Sequence, residues 1–341
     1  MIKKKVSIKD IAKLTNTSIT TVSFVLNGKG RISKSTSQKI LDTARQNGYE
    51  PSRVAVALRT GKSKVIGLLV ENIGGPFFGE IAKIIEEEAE KLGYHLIYCS
   101  TNNSVQKGKD LIKMLSQHPV DGYIITPLNG LEKEINSLIN NGKPVVLIDG
   151  YYADSNITNV LVDNYQAVFN AINCFITAGY KNIGFVTANL KLIQLQDRLK
   201  GYQAALKINA IKENEKNIFK LSLDQSKKEM IHDIKSFLNS NKQIDAVFFS
   251  TNYLGIMGLQ SIRDLKLSIP ENMAVISFDD NEIFELYPPG ITAIKQPTDE
   301  IAKSAIDILI RQLTNHTAKT AGLKIQIPAT LIERSSTRTK T

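Results

Sequence analysis

The chain has 341 residues, of which 42% are apolar and 22% charged. That is enough length for two or three cores at an ordinary globular composition, which argues against disorder beyond the ends. Its first 62 residues carry 13 Lys and Arg against Asp10, Asp42 and Glu50, a net of +10; the whole chain is also +10, so the remaining 279 residues are neutral. A small basic module joined to a large neutral one is the footprint of phosphate-backbone binding, in which cationic side chains replace condensed counterions.

In chain order, Lys3, Lys4 and Lys5 come first, but Val6 to Leu14 is broken by Ser7, Lys9, Asp10 and Lys13 and cannot serve as the apolar core of a secretory leader. Ser7 then precedes Ile8, Ile11, Ala12 and Leu14 at helical spacing, with Asp10 placed to complete a capping box. Thr15, Asn16 and Thr17 break the helix, and Asn16 tolerates the left-handed backbone of a tight turn. Ser18 caps a second predicted helix, Ile19 to Asn27, with Val22, Val25 and Leu26 inward and Ile19, Thr20, Ser23 and Phe24 on or near the other face. Two short helices joined by three residues predict a helix-turn-helix. A third helix is expected from a Ser33 cap to Asn47, with Ile40, Leu41 and Ala44 inward and Gly48 after it. Gly28, Lys29 and Gly30 follow a helix, so they read as a flexible loop and not as a phosphate cradle.

After Pro51, residues 52–61 form a short segment bounded by a helix starter and a glycine. So short a helix is marginal alone in water, so it should order only against a partner. From Val65 onward short apolar runs alternate with amphipathic stretches: strands at 65–70, 95–99 and 122–126, helices near 77–92 and 105–117. That rhythm predicts parallel sheets covered by helices on both faces. The pattern recurs: Val65-Ile-Gly-Leu-Leu-Val is echoed by Asn182-Ile-Gly-Phe-Val-Thr, the run at 121–126 by that at 245–250, and the run at 144–150 by that at 273–280. Two related lobes follow. Open parallel sheets present ligands at the carboxyl ends of their strands, and Asp149 and Asp279 close equivalent strands in the two halves. Carboxylates accept paired hydrogen bonds from vicinal hydroxyls, which favours a sugar or polyol over an apolar ligand.

The words Val-Ser-Ile-Lys-Asp-Ile-Ala-Lys-Leu at 6–14, Thr-Val-Ser-Phe-Val-Leu-Asn-Gly at 21–28, Gly-Tyr-Glu-Pro-Ser-Arg at 48–53, Leu-Arg-Thr-Gly at 58–61 and Gly-Pro-Phe-Phe at 75–78 stand in the order and spacing of one family. The chain resembles the LacI/GalR family of bacterial transcriptional repressors. The resemblance implies that helix two enters the major groove and that residues 52–59 form a hinge helix on operator DNA, with Leu58 wedged into a minor-groove step. The DNA-binding residues implied are Ser7, Thr17, Ser18, Ile19, Thr20, Thr21, Ser23, Phe24 and Asn27, with Arg53, Val54, Ala55 and Leu58 in the hinge. Phe24 stands where the family's usual word has arginine, so the family's common operator sequence does not carry over. In the neutral part, Arg198 and Asn252 match effector-binding positions, Asp149 and Asp279 match cleft aspartates, and Phe77 and Phe78 match cleft-lining residues; Gln296 is expected to bind effector because it lies where the chain should cross between the lobes near the ligand. Tyr253 stands where many relatives carry a second polar strand-end residue, and the chain has no Trp to stack on a sugar ring.

The expected fold is therefore a small all-α helix-turn-helix domain over 1–50, a hinge over 51–62, and a doubly wound α/β two-lobed domain, of the kind found in periplasmic binding proteins, over 63–341. Lobe one is expected at about 63–163 with a return segment near 297–325, and lobe two at about 164–296 with the C-terminal segment. The expected partners are pseudo-palindromic double-stranded DNA, a small carbohydrate-like effector and a second copy of the chain, because one module makes too few contacts for tight specific binding.

No cofactor, metal or membrane is expected: His95, His118, His232 and His316 lack metal-ligand spacing, and no apolar run reaches bilayer length. Cys99 and Cys174 read as buried small residues of a reducing cytoplasm. No nucleotide-binding, zinc-hydrolase or nucleophile-elbow motif is present, so the chain is not expected to be an enzyme. The competing reading is a periplasmic sugar-binding protein with the same two lobes and no role on DNA; the basic front and the lack of a leader argue against it.

Overall fold

The computed structural model describes residues 6–49, 61–314 and 322–339. It divides into two compact units, Met1–Ser63 and Lys64–Thr341. In the first, α1 (Ile8–Thr15), α2 (Ile19–Leu26) and α3 (Lys34–Gln46) enclose a core of Ile11, Ala12, Val22, Ile40 and Ala44. Ser7 and Asp10 form the expected capping box, and Asn16 ends α1 at φ 55°, in the left-handed region that lets α2 start three residues later, behind its Ser18 cap. Two expected core residues face out: Leu14 is 57% and Leu41 41% exposed. At 100° per residue Leu14 falls off the stripe set by Ile8, Ile11 and Ala12, and Thr15 takes the place instead. Thr15 is tolerated there because its hydroxyl donates to the Ile11 carbonyl at 2.8 Å. Ile40 and Ala44, one turn apart, fill the α3 seam and leave Leu41 at its edge.

The second unit contains two six-stranded sheets of the same design. One orders its strands β11 (Lys324–Ile327), β5 (Asn159–Val162), β4 (Val145–Ile148), β3 (Gly122–Ile125), β1 (Val65–Val70), β2 (His95–Ser100), all parallel. The other runs β12 (Thr330–Ile332), β10 (Thr292–Lys295), β9 (Ala274–Phe278), β8 (Ala246–Phe249), β6 (Ile183–Ala188), β7 (Ile218–Leu221), parallel except for β12. Central strands buried on both faces read as continuous apolar runs.

In the first sheet, Ile66, Leu68 and Val70 pack against α4 (Pro76–Lys91) and α12 (Thr298–Thr314). On its other face, Leu69, Ile125 and Leu147 meet α5 (Val105–Ser116) and α6 (Glu132–Asn140). In the second sheet, Phe185, Phe248 and Ile276 lie against α7 (Asn164–Thr177) and α8 (Ile193–Ile208). Val247, Phe249 and Val275 lie against α9 (Lys227–Ser240) and α10 (Asn252–Asp264) on the reverse. The chain passes between lobes at Asp163, at Gln296–Pro297 and between Ile327 and Thr330. A short α11 (Glu282–Leu286) follows β9. Cys99 is buried, whereas Cys174 is only partly so. Among the described residues no helix is long and apolar enough to cross a membrane.

Candidate functional site

On the basic unit, α2 presents a mixed face. Ile19, Thr20 and Phe24 are exposed, Ile19 at 46% and Phe24 at 43%. Thr20 and Phe24 stand one turn apart on the same side of the helix. The Phe24 ring does not turn into the helical core: it lies under the loop, where a Cβ added to Gly30 would come within 3.1 Å of its Cδ2. Gly30 holds φ 85°, so the sequence needs glycine there both for backbone and for room over the ring. The neighbouring polar residues serve the scaffold. Ser18 and Thr21 share a hydroxyl contact of 2.8 Å at the helix cap, Thr15 and Thr17 share one of 2.8 Å at the turn, and Asn27 donates to the Ser23 carbonyl. Ser7 is engaged with Asp10. Arg53, Val54, Ala55 and Leu58 lie outside the described residues.

In the second unit, one cleft between the lobes, with a cavity of about 110 Å³, is lined by all seven expected effector residues: Phe77, Phe78, Asp149, Arg198, Asn252, Asp279 and Gln296. Each arrives from the end of an element. Asp149 follows β4 and Asp279 follows β9, Asn252 opens α10 behind β8, and Phe77 and Phe78 open α4 behind β1. Gln296 sits at the crossing after β10, and Arg198 projects from α8.

Arg198 is 3% exposed and is held from three sides. Its Nε donates to Asn164 Oδ1 at 2.7 Å, its Nη1 donates to the Ser250 carbonyl at 2.6 Å, and its guanidinium lies 3.5 Å from the Phe278 ring centroid. Burial pulls its pKa below the usual arginine value, with Asp279 and Asp149 opposing. Asp279 accepts from Gln296 Nε2 at 2.5 Å, and Asp149 from Gln194 Nε2 at 3.3 Å. Burial pushes the Asp149 carboxyl up to about 7; Arg198 works against that, while Asp279 and Glu71 reinforce it. Phe78 belongs to the core, Phe77 packs on its edge, and their rings meet at 4.9 Å in an edge-on pair that walls the cleft.

The structure adds residues that sequence reasoning did not select. Glu71, directly after β1, lines the cleft and accepts from Asn103 Nδ2 at 2.6 Å; burial raises its pKa. Gln194 joins the cleft to a second cavity of about 230 Å³, lined also by Asp149, Asn159, Asp197 and Lys324. Tyr253, flagged by its departure from the expected pattern, lines the cleft with its hydroxyl pushed up to about 12 by burial. Strand-end position was the signal available for Glu71, as it was for Asp149. Among the described residues no group of three or more His, Cys, Asp or Glu is arranged to hold a metal ion. The cleft can bind a small polar molecule through an arginine, carboxylates and amides on an apolar floor.

Residues 7–52 match the model for bacterial regulatory proteins of the lacI family, and residues 172–337 match the periplasmic binding protein-like domain. The HTH-type transcriptional regulator RegA of Clostridium saccharobutylicum is 30% identical over 97% of this chain and 99% of its own length. The chain belongs to the LacI family. It is a DNA-binding transcriptional regulator built from a helix-turn-helix domain and a two-lobed α/β domain that takes a small-molecule effector, and the reading as a carrier with no role on DNA is set aside. The ribose operon repressor of Haemophilus influenzae is 29% identical over 91% of this chain and 92% of its own. The lac repressor dimer bound to operator and the anti-inducer ONPF shares the fold, with a TM-score of 0.84 at 21% identity over 98% of this chain and 100% of that one.

Proposed function

We propose that this regulator is a cytoplasmic homodimeric repressor whose operator affinity is set by a sugar or sugar derivative bound in the cleft. The observation that carries the ligand class is the meeting of Asp149, Asp279 and Arg198, all aligned by neutral hydrogen-bond partners, in one small cavity. Fixed acceptors and a fixed donor recognise hydroxyls in a set geometry, and an apolar ligand would leave them buried and unpaired. The relative named for a ribose operon supports the same class.

On the DNA side, Ile19, Thr20 and Phe24 read base edges from the exposed face of α2, with Ser7, Thr17, Ser18, Thr21, Ser23 and Asn27 positioning the helix on phosphates. The proposed division is 1–50 for the DNA-binding domain, 51–62 for a hinge carrying Arg53, Val54, Ala55 and Leu58, and 63–341 for the effector domain. Two copies related by a two-fold axis match a pseudo-palindrome. The exposed Ile97 and Tyr98 on the edge strand β2 offer the first lobe an apolar seam for that pairing. Ligand closure of the lobes would shift the paired first lobes, and coupling of this kind is typically about 1–3 kcal/mol.

The test is fluorescence anisotropy of labelled promoter DNA with the full chain while neutral and substituted sugars are titrated. A sugar that changes operator affinity several-fold is expected. Operator binding indifferent to every sugar, with a response to a non-sugar metabolite, would overturn the ligand class.

A further inference from the structure

The cleft holds more negative charge than its own walls neutralise. Glu71, Asp149 and Asp279 all line it, and Arg198 is the one cationic side chain among the described residues that do. Each carboxylate takes its side-chain hydrogen bond from a neutral amide: Glu71 from Asn103 at 2.6 Å, Asp279 from Gln296 at 2.5 Å, Asp149 from Gln194 at 3.3 Å. Amides fill lone pairs without cancelling charge. Arg198 spends Nε and Nη1 on the neutral oxygens of Asn164 and Ser250, so its charge reaches all three carboxylates only at longer range. Nor are the three arranged as a metal-holding group. A separate feature asks for a ligand: Gln296 is 5% exposed, its Nε2 is committed to Asp279, and its Oε1 is buried with no partner. A buried acceptor in that state calls for a donor brought by a ligand.

Resting on the reading of this cleft as the effector site, we infer that the effector is a cation: a hydroxyl-bearing molecule with a protonated amine, of the amino-sugar class, selected by Glu71. The ammonium is held by Glu71 with Asp279, which lines the same cleft, and an N–H or O–H of the ligand reaches Gln296 Oε1. A neutral sugar would satisfy the hydrogen bonds and leave the charge excess in place. A phosphorylated sugar would add like charge at low dielectric, where repulsion is large. The upward pKa of Glu71 and of Asp149 has the same origin, burial with too little opposite charge nearby.

The experiment is isothermal titration of the full-length protein at pH 7 with matched probes: glucose, galactose and mannose, their 2-amino derivatives, their 6-phosphates, and agmatine as a cation that is not a sugar. One amino sugar is expected to bind at least tenfold more tightly than its neutral parent. Glu71→Gln should remove that advantage, while Glu71→Asp, which keeps the charge, retains part of it and shows that the position tolerates change. A neutral or phosphorylated sugar binding as tightly as its amino counterpart overturns the cationic effector and leaves the carbohydrate reading standing. Binding by agmatine alone supports the cation and overturns the sugar. Binding by none of the probes overturns both.

Discussion

Asp149 and Asp279 hold the same left-handed backbone, with φ of 61° and 65°, at the carboxyl ends of β4 and β9. Those strands occupy the same place in the two sheet orders, so the two residues are structural counterparts across the cleft. Left-handed backbone is unfavourable for an L side chain, least so for Asp and Asn, and it persists where the surroundings fix it. Here it turns the chain sharply off the strand end, and both residues line the same cleft.

The position of Asp149 gives the site a pH dependence that can be measured. The Asp149 carboxyl is raised from an ordinary 3.8 to about 7, chiefly by burial. For an acid whose folded pKa lies above its unfolded one, the folded state binds the extra proton, so this stabilising contribution is full below about pH 4 and is lost as pH rises through about 7. The expected result is that the stability difference between wild type and Asp149→Asn, followed by thermal melting, falls across that window and is flat above it. A difference that is constant from pH 4 to pH 8 would show that Asp149 is ionised throughout.

Arg198 and Asp279 should separate stability from response. Arg198→Ala removes the donor to two buried acceptors, Asn164 Oδ1 and the Ser250 carbonyl, at a cost of about 1–3 kcal/mol each. It should lower the melting temperature as well as abolish the response to effector. Asp279→Ala frees only the Gln296 amide and one carboxylate's charge, so it should weaken effector binding by about 1.5–3 kcal/mol while operator affinity stays near that of wild type. Effector titration against a fluorescent operator measures both, and unchanged ligand sensitivity in the two variants would move the pocket elsewhere.

The central strands were legible because burial on both faces writes them as unbroken apolar runs, as at Val65–Val70 and Ala246–Phe249. Among the edge and crossing strands only β2 was read, at 95–99, and three others were missed. Ile218–Leu221, Lys324–Ile327 and Thr330–Ile332 are short, half-exposed and too weakly patterned to stand out from loop. In the site, Asp149 and Asp279 were found through their matching positions in the two repeats. Glu71 has no acidic counterpart, since Asn189 follows the equivalent strand, so the repeat gave no cue to it. Asn164 and the Ser250 carbonyl act only by aiming Arg198 across a lobe, a relationship of tertiary distance that no local spacing records.

The split between Ser63 and Lys64 separates two units with their own cores. A fragment beginning at Lys64 should therefore keep its melting transition and its effector affinity and lose sequence-specific DNA binding entirely. Gel retardation beside effector titration checks both halves of that expectation. Specific retardation by the fragment would remove the basic unit from its role on DNA.

On the proposed reading of α2 as the major-groove helix, Phe24 sets how far operator preference departs from that of the arginine-bearing pattern it replaces. Its ring is 43% exposed and backed by Gly30 rather than inserted into the core of Ile11, Val22 and Ile40. An aromatic edge held on a major-groove helix cannot pair with guanine O6 and N7, but it can lie against a thymine C5-methyl, as can the exposed Ile19. Binding selection on a randomised half-site should therefore return an A·T pair opposite these side chains. Phe24→Arg should shift that position toward guanine, with a discrimination of about 1–3 kcal/mol. Because the ring lies against the loop at Gly30 and outside the core cluster, the substitution should alter the melting temperature little while it changes the selected sequence. If the two proteins select the same bases and differ in stability alone, the ring is packing for the 28–30 loop, and discrimination rests on Ile19, Thr20 and the hinge.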